Sequence, residues 1–299
     1  MQDHEGNDRD PAFVHGELAR RRAARSVERT RRAKAKRRRA LIRGGSALAL
    51  LLVAAAAYAT YEYFQISSQL RPEAVELEAI EAVLDEPEAQ PAETIDDKPV
   101  DTGVYILLLG NDRRPGEGWT RSDTIMLARL DDESRTVSML SIPRDSYVAV
   151  PDHGMTKINH SSAYGGAALA IQTVKDFTGL PVHHYVEIDF TGFSQVVDAL
   201  GGVEMTVDRA VVDQGKVLLS PGTKVLSGYE ALLFVRNRKA YADGDFSRMK
   251  NQQALMFAMV SKASQEKNFT RLPGILESVA KHLKTDWTIA ELLSVASDY

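Results

Sequence analysis

An uncharged apolar run near the start of the chain separates regions of opposite charge. Gly44–Tyr61 is a stretch of 18 residues, rich in Ala, Leu and Val. As an α-helix it would be about 27 Å long, enough to cross the hydrocarbon core of a bilayer. Residues 1–43 hold 14 Lys and Arg against 6 Asp and Glu, whereas residues 62–102 hold 2 against 12. We therefore predict a basic segment over 1–43, a transmembrane helix over 44–64, an acidic linker over 65–102 and a globular domain over 103–299.

The residues beside this run predict the orientation of the chain. Basic residues stay on the cytoplasmic side of a spanning helix, and Tyr and Phe gather where such a helix meets the interface. Eight Lys and Arg lie within 31–43, and four aromatic residues lie within 58–64. We therefore expect residues 1–43 in the cytoplasm, a single pass through the cell membrane, and the globular domain on the outer side.

Other interpretations of these segments stay open. The apolar run has the length of a buried core helix, and Ala57-Tyr58-Ala59 fits the cleavage pattern of a signal peptide. A cleaved signal would deliver the domain to the same side of the membrane. The basic segment has no aromatic residue among its arginines, so we expect it to meet anionic membrane lipid and expect no nucleic-acid partner.

Apolar periodicity over 103–299 predicts strands that alternate with helices. Val104–Leu109 is a continuous apolar run that ends at Gly110, which is typical of a buried strand. Further strands are predicted at Thr124–Leu130, Thr136–Ile142, His184–Phe190 and Val203–Val207, and helices at Gly165–Phe177, Thr191–Leu200, Ser227–Val235, Ser247–Ala263, Leu272–Leu283 and Thr288–Ala296. This order predicts an α/β fold whose mixed central β-sheet is flanked by helices on both sides. A short acidic helix is also predicted in the linker, within Pro72–Glu86.

Composition and motifs exclude several kinds of site. There is no cysteine, which excludes a disulfide framework and a cysteine-ligated metal. The sequence contains no G-x-x-x-x-G-K-[ST] loop, no G-x-S-x-G elbow and no H-E-x-x-H motif. His183 and His184 open a predicted strand and face opposite sides of it, so we expect structural roles for both.

Aspartate and arginine residues stand where predicted strands begin or end. Asp112 follows the first strand, Arg121 and Asp123 open the second, and Arg144 and Asp145 close the third. If the first two strands are antiparallel neighbours, Asp112 and Asp123 meet at one edge of the sheet. Arg144 joins them only if the third strand runs parallel to the first.

A second group of charged residues follows about 100 residues later. Arg236 and Arg238 end an apolar segment, and Asp245, Arg248 and Gln252 lie at helical spacing just beyond. Guanidinium groups bind phosphate oxygens bidentately, and two carboxylates can hold a Mg²⁺ that bridges phosphate oxygens. The two groups together suit a pyrophosphate, and the alternative is a set of ordinary surface ion pairs.

Eight segments of the sequence, in this order, resemble the LytR-CpsA-Psr family. They are Leu107–Arg113, Arg121–Thr124, Ser141–Asp145, Lys157–His160, Ile188–Phe193, Asp198–Val203, Val235–Arg238 and Asp245–Arg248. The resemblance covers about residues 103–265 and agrees with the anchored topology. One departure is Asn251, where many members carry a basic residue.

The resemblance implies a fold, a reaction and residue roles. Its fold is a mixed sheet between helices, with an apolar tunnel for a polyprenyl chain. Its metal ligands would be Asp112 and Asp123, holding Mg²⁺ or Mn²⁺. Its pyrophosphate ligands would be Arg121, Arg144, Lys157, Arg236, Arg238, Arg248 and Gln252. Its catalytic residues would be Asp123, Arg144, Asp245 and Arg121, with Asp245 or Asp123 as the base that deprotonates the acceptor.

The activity implied is a phosphotransferase, or glycopolymer–peptidoglycan ligase. It moves a phosphate-linked glycopolymer from a polyprenyl pyrophosphate carrier to the 6-hydroxyl of N-acetylmuramic acid in peptidoglycan. Two alternatives remain at this point. Water could be the acceptor, which would make the protein a phosphohydrolase of the same donor. A non-enzymatic, membrane-bound regulator that signals through its basic segment is the other.

Overall fold

The computed structural model describes residues 58–85, 103–112, 118, 120–131, 134–238, 240–241, 244–263 and 272–298. The chain divides into two compact units, Met1–Tyr63 and Phe64–Tyr299. Residues 58–63 are the described part of the first unit, and they are helical. The predicted basic segment and residues 44–57 of the predicted transmembrane helix lie outside the described residues. No helix within the described ranges is long and apolar enough to cross a membrane.

A five-stranded mixed sheet lies at the centre of the second unit. The strands of the unit are β1 Val104–Asn111, β2 Ser122–Asp131, β3 Thr136–Ser141, β4 Tyr147–Val150, β5 Gly154–Lys157, β6 His184–Asp189, β7 Val203–Val207, β8 Val211–Asp213, β9 Lys216–Leu219, β10 Gly222–Leu226 and β11 Leu283–Thr285. The central order is β11-β6-β1-β2-β3. β1 pairs antiparallel with β2 and parallel with β6, and β3 pairs antiparallel with β2. β3 therefore runs parallel to β1.

Seven labelled helices pack around the sheet within the described ranges. They are α1 Ala74–Glu81, α2 His160–Thr178, α3 Phe190–Ala199, α4 Gly228–Arg236, α5 Asp245–Ala263, α6 Leu272–Val279 and α7 Ile289–Asp298. The sequence predicted that α2 starts at Gly165, whereas it starts five residues earlier. Its backbone bends at Gly165 and Gly166, and Gly166 takes a φ of 64° that suits glycine. The bend interrupts the apolar periodicity, which explains the late predicted start.

Different helices cover the two faces of the sheet. Successive residues of a strand point to opposite faces. Leu107 of β1 packs in one cluster with Ile171 of α2, whereas Ile106 packs in another with Trp287 and with Leu292 of α7. The predicted mixed sheet with helices on both sides is confirmed. His183 and His184 have structural contacts, because His183 Nδ1 accepts from the Tyr105 amide at 2.8 Å and His184 Nδ1 lies 2.6 Å from Asp286.

The predicted helix over Leu272–Leu283 is wrong at its C-terminal end. The helix stops at Val279, and Leu283–Thr285 pairs antiparallel with β6 as β11. The Thr285 hydroxyl donates to the Tyr185 carbonyl at 2.7 Å. Pairing with the open side of β6 is a tertiary interaction that overrides local helical periodicity. The short strands β4, β5, β8, β9 and β10 were likewise not predicted.

The structure attaches residues 65–85 to the globular unit, whereas the sequence pattern assigned them to the linker. The predicted acidic helix is present as α1, and its Ile80 is buried in the same cluster as Leu107. Asp85 accepts from the Val182 amide at 2.9 Å and from Lys175 at 2.9 Å. The body therefore begins well before Gly103, in the acidic region itself.

This attachment can be tested by truncating one side chain of α1. Ile80 is 0% exposed and Val75 is 82% exposed. Ile80→Ala should lower the free energy of unfolding by about 2–5 kcal/mol, because it removes buried methyl groups and leaves a cavity. Val75→Ala on the same helix should change it by less than about 0.5 kcal/mol. Urea titration of both variants measures the difference, and equal losses of unfolding free energy would show that α1 does not pack on the core.

Candidate active site

The ends of four strands meet at one edge of the central sheet. Asn111, at the end of β1, pairs with Ser122 at the start of β2 and with Asp189 at the end of β6. Beyond β3, the Ile142 amide donates to the Ile125 carbonyl at 2.9 Å. The strand directions on which the predicted cluster depended are therefore confirmed. The residues that follow β1 and β3 and those that open β2 share this edge.

The first cluster at this edge is built on Arg144. Its guanidinium forms an ion pair with Asp123, and its Nε lies 3.7 Å from Asp145. Lys157 Nζ lies 2.6 Å from the other oxygen of Asp145. The hydrogen bond from Lys157 holds the pKa of the Asp145 carboxyl below its usual range. Arg144 thus contacts the predicted site residue Asp123 directly and the predicted residue Lys157 through Asp145, which had been given no role.

The second cluster lies on the first turns of α5. Arg248 is buried, its Nη2 is 2.9 Å from the Asp245 carboxylate, and Arg238 Nη1 is 3.9 Å from the same carboxylate. Burial lowers the pKa of Arg248, and the charge of Asp245 opposes that effect. Arg248 Nη2 also donates to the Asp123 carbonyl at 3.4 Å, and Gln252 donates to the Thr124 hydroxyl at 2.9 Å. These two bonds join α5 to the start of β2, and hence the second cluster to the first.

Arg236 and Asp112 complete the group at the outer side of the edge. The Arg236 guanidinium lies 4.0 Å from Asp112, and its carbon is 4.4 Å above the Phe190 ring. The side chains of Asp112 and Arg236 are 54% and 55% exposed. A long, exposed ion pair of this kind contributes little to stability, which leaves both groups open to a ligand.

Arg121 is placed differently from the other predicted residues. It is exposed at the start of β2. Burial lowers the pKa of His160, and the positive charge of Arg121 lowers it further. The structure therefore places Arg121 near the N-terminus of α2, and its part in a phosphate site stays a prediction.

Asn251 does not take the place of a phosphate ligand. Its amide donates to the Tyr241 hydroxyl at 3.3 Å, and that hydroxyl donates to Asp208 at 2.5 Å. Asn251 therefore fastens the segment between α4 and α5, which carries Arg238.

An apolar cavity of about 290 Å³ opens beside these clusters. The cavity is lined by polar residues of the clusters already described, which are Asp123, Arg236, Arg238, Arg248 and Gln252. Its other walls are apolar and include Leu108, Met126, Val186, Phe193, Val196 and Met256. The sequence carried a signal for these walls in Phe190, Phe193 and Val196 of α3, which are spaced three residues apart on one helix face.

A wider groove of about 780 Å³, here called the outer groove, adjoins the same residues. Leu232, Arg236 and Arg238 line both the cavity and the outer groove. α4 therefore stands between them as a common wall. Its start is fixed, because the Gly228 amide donates to Asp198 at 2.7 Å. A Cβ at Gly228 would lie 2.1 Å from the Ser194 carbonyl oxygen of α3.

The whole globular unit matches a known family profile. The LytR_cpsA_psr family profile matches residues 75–299. The chain belongs to the LytR-CpsA-Psr family. The profile begins within α1, in agreement with the packing of Ile80.

Curated proteins similar to this LytR-CpsA-Psr chain are named as teichoic acid transferases. It is 37% identical over 201 residues to the polyisoprenyl-teichoic acid–peptidoglycan teichoic acid transferase TagT of Bacillus subtilis, covering 64% of this chain and 62% of TagT. It is 34% identical over 197 residues to TagU of Bacillus anthracis, covering 66% of this chain and 64% of TagU. The chain thus spans less than two thirds of the length of these curated relatives.

Two TagT structures share the fold. The crystal structure of B. subtilis TagT gives a TM-score of 0.55 at 33% identity and covers 71% of this chain and 80% of that one. TagT bound to LI-WTA gives 0.57 at 33% identity and covers 71% and 76%.

The LytR-CpsA-Psr site can be probed through its buried guanidinium. Asp245→Asn removes the charge that faces Arg248, so the free energy of unfolding should fall by about 1–3 kcal/mol. Asp145→Asn is the matched control, since it breaks the exposed pair with Lys157 and should cost less than about 1 kcal/mol. Urea titration without ligand measures both. If Asp245→Asn is the milder variant, the charge of Arg248 is balanced elsewhere.

Proposed function

We propose that this protein is a phosphotransferase that attaches a phosphate-linked glycopolymer to peptidoglycan. Its donor is the glycopolymer on a polyprenyl pyrophosphate, and its acceptor is the 6-hydroxyl of N-acetylmuramic acid. The observation that carries the proposal is the position of Arg236, Arg238 and Arg248 on the wall of an apolar cavity. A molecule with a hydrocarbon tail and a diphosphate head fits both parts of that space.

The hydrocarbon end of the donor is assigned to the cavity. Its walls come from α3, α4, α5 and the sheet, and the side chains between them are Leu, Val, Met and Phe. Burying a prenyl chain there is favourable at about 25 cal/mol per Å² of apolar surface. The apolar walls have no comparable role in binding a soluble sugar phosphate.

The diphosphate is assigned to the arginines at the cavity wall. Arg236 and Arg238 on the wall, and Arg144 paired with Asp123 of the wall, present forked donors that match phosphate oxygens. Arg238 and Arg144 each lie within 4 Å of a carboxylate, so a diphosphate would exchange these pairs for stronger ones. Arg248 is buried and adds its positive charge to these arginines from the protein interior.

The reaction is an in-line displacement at the sugar-side phosphorus. The acceptor hydroxyl oxygen forms a bond to this phosphorus, and the bond from it to the bridging oxygen breaks. The lipid monophosphate leaves with that electron pair, and the hydroxyl proton passes to a carboxylate of the site. Arg144, Arg236 and Arg238 stabilise the charge that develops on the phosphate oxygens, so catalysis is mainly positioning and electrostatics.

A divalent cation, Mg²⁺ or Mn²⁺, belongs to this proposal. Asp112 and Asp123 would hold it, because both are at the same sheet edge and Asp112 is half exposed. The described residues contain no group of three or more His, Asp or Glu that could hold a metal. Two carboxylates suit Mg²⁺, which keeps several waters and takes its remaining ligands from substrate phosphates. When bound, the ion would neutralise charge on the pyrophosphate.

The location of the body follows from the same substrates. Peptidoglycan lies outside the cell membrane, and the donor lipid lies within it. A globular unit anchored at the outer surface by the predicted segment 44–64 would meet both. The relatives support the substrate class, since TagT and TagU are named as transferases from a polyisoprenyl carrier to peptidoglycan.

Removing one arginine should abolish transfer without unfolding the protein. Arg144→Ala is expected to lower kcat by about 100-fold or more, because one preorganised donor to the phosphate is lost. The measurement is the transfer of phosphate-linked glycan from a synthetic polyprenyl pyrophosphate donor to peptidoglycan. Lys224→Ala on β10, whose side chain contacts Ser220 outside the site, should transfer at the wild-type rate.

The same assay separates the proposal from its alternatives. Glycan phosphate released to water, with none bound to peptidoglycan, would make the protein a phosphohydrolase. Normal transfer by Arg144→Ala would show that the arginine cluster has no part in the reaction. Equal transfer with Mg²⁺ and with a chelator would show that the reaction needs no divalent cation.

Filling the cavity should separate long donors from short ones. Val196→Trp places a large ring in the space of about 290 Å³, so KM for a donor with a long prenyl chain should rise about tenfold or more. KM for a donor with one or two isoprene units should stay within about twofold, because little of the cavity is needed. Val225→Trp on the exposed side of β10 is the matched control. If both donors lose binding equally, the cavity does not hold the chain.

A further inference from the structure

We propose that the outer groove binds the acceptor glycan and presents its hydroxyl to the reacting phosphate. This inference rests on the proposed function, since the acceptor belongs to that reaction. The groove and the cavity share Leu232, Arg236 and Arg238. A diphosphate bound to the two arginines therefore borders the cavity and the groove at once.

The walls of the groove suit a sugar. A pyranose ring has an apolar face of C–H groups and a rim of hydroxyls. Tyr229 of α4 lines the groove and is 63% exposed, and Val212 of β8 lines it from the other wall. An exposed aromatic ring offers the apolar face a flat partner. Asp145 and Asn237 line the same space and can bond hydroxyls.

The charge of the groove favours the acceptor over the polymer of the donor. Arg236 and Arg238, the basic residues that line it, are those at the diphosphate end. The charged lining residue on the β8–β9 hairpin is Asp213. A polymer that carries many phosphates would meet a carboxylate there, which is unfavourable. The sugar backbone of peptidoglycan carries no phosphate, so it lacks the phosphate charges that this carboxylate would repel.

The reaction geometry points the same way. In an in-line displacement the attacking oxygen approaches the phosphorus opposite the bond that breaks. Lipid monophosphate is the leaving group, and its chain lies in the cavity. The acceptor must therefore arrive from a space other than the cavity. The groove is such a space, and it borders the same arginines.

The groove also distinguishes the two candidate bases. Asp245 lines the outer groove, whereas Asp123 lines the cavity. An acceptor that enters through the groove places its hydroxyl beside Asp245. The hydroxyl proton is therefore assigned to Asp245, while the oxygen bonds to phosphorus and the lipid phosphate departs.

The test measures acceptor binding and acceptor use with the full chain reconstituted in phospholipid vesicles. Tyr229→Ala should raise KM for a soluble, uncross-linked peptidoglycan strand about tenfold, with kcat and the donor KM within about twofold. Its Kd for the same strand, measured without donor, should rise by a similar factor. Tyr229→Phe keeps the ring and should restore both values.

Tyr147→Ala is the matched control, because Tyr147 is 69% exposed on β4 and lines neither the cavity nor the groove. It should leave Kd and KM unchanged. The inference is overturned if Tyr229→Ala and Tyr147→Ala bind the strand equally, or if Tyr229→Ala raises the donor KM instead. If wild-type protein binds the strand through Tyr229 but transfers no glycan phosphate, the groove stands and the proposed function fails.

Discussion

The crowding of positive charge at one sheet edge is the constraint on which the rest of the structure depends. Arg144, Arg238 and Arg248 would repel one another if they were alone there. Carboxylates of Asp123 and Asp245 lie between them, and a carbonyl of β2 accepts from Arg248. Because these carboxylates neutralise part of the positive charge, the free protein can fold with several guanidinium groups at one site. In the proposed reaction, a diphosphate would take over the arginines and leave the same carboxylates available to a metal or a proton.

The strand order brings these charges to one end of the sheet. β2 lies between β1 and β3 and runs opposite to both. A loop after β1, the start of β2 and the loop after β3 must then lie at the same edge. α5 adds the second cluster by hydrogen bonds from Arg248 and Gln252 to β2. A site assembled from four chain segments over more than a hundred residues thus depends on one sheet topology.

The sequence predicted the central mixed sheet with its flanking helices, and the family resemblance implied an apolar tunnel, but neither indicated the outer groove. The continuous apolar pattern of Val104–Leu109 indicates a buried strand by local chemistry alone, and the structure has β1 there. β11 could not be predicted, because Leu283–Thr285 becomes a strand only where β6 offers its open side. The predicted linker was too long for a related reason. Ile80 is buried because it packs in one cluster with residues of α2, and the acidic residues around it give no sign of that packing. The outer groove was not predicted because an exposed Tyr has no sequence signal until the fold gives it neighbours, and Asp145, although noted beside Arg144 at the end of the third strand, was given no role.

The contact between Gly228 and Ser194 limits how this protein can diverge. The first turn of α4 lies against α3 so closely that any side chain at Gly228 would push the helices apart. One surface of α4 lines the apolar cavity and another lines the outer groove, so such a displacement would change both spaces together. Changes at Tyr229 or in the β8–β9 hairpin would alter the groove alone, because these residues do not line the cavity. The close contact between α3 and α4 thus couples two spaces whose outer walls can otherwise change separately.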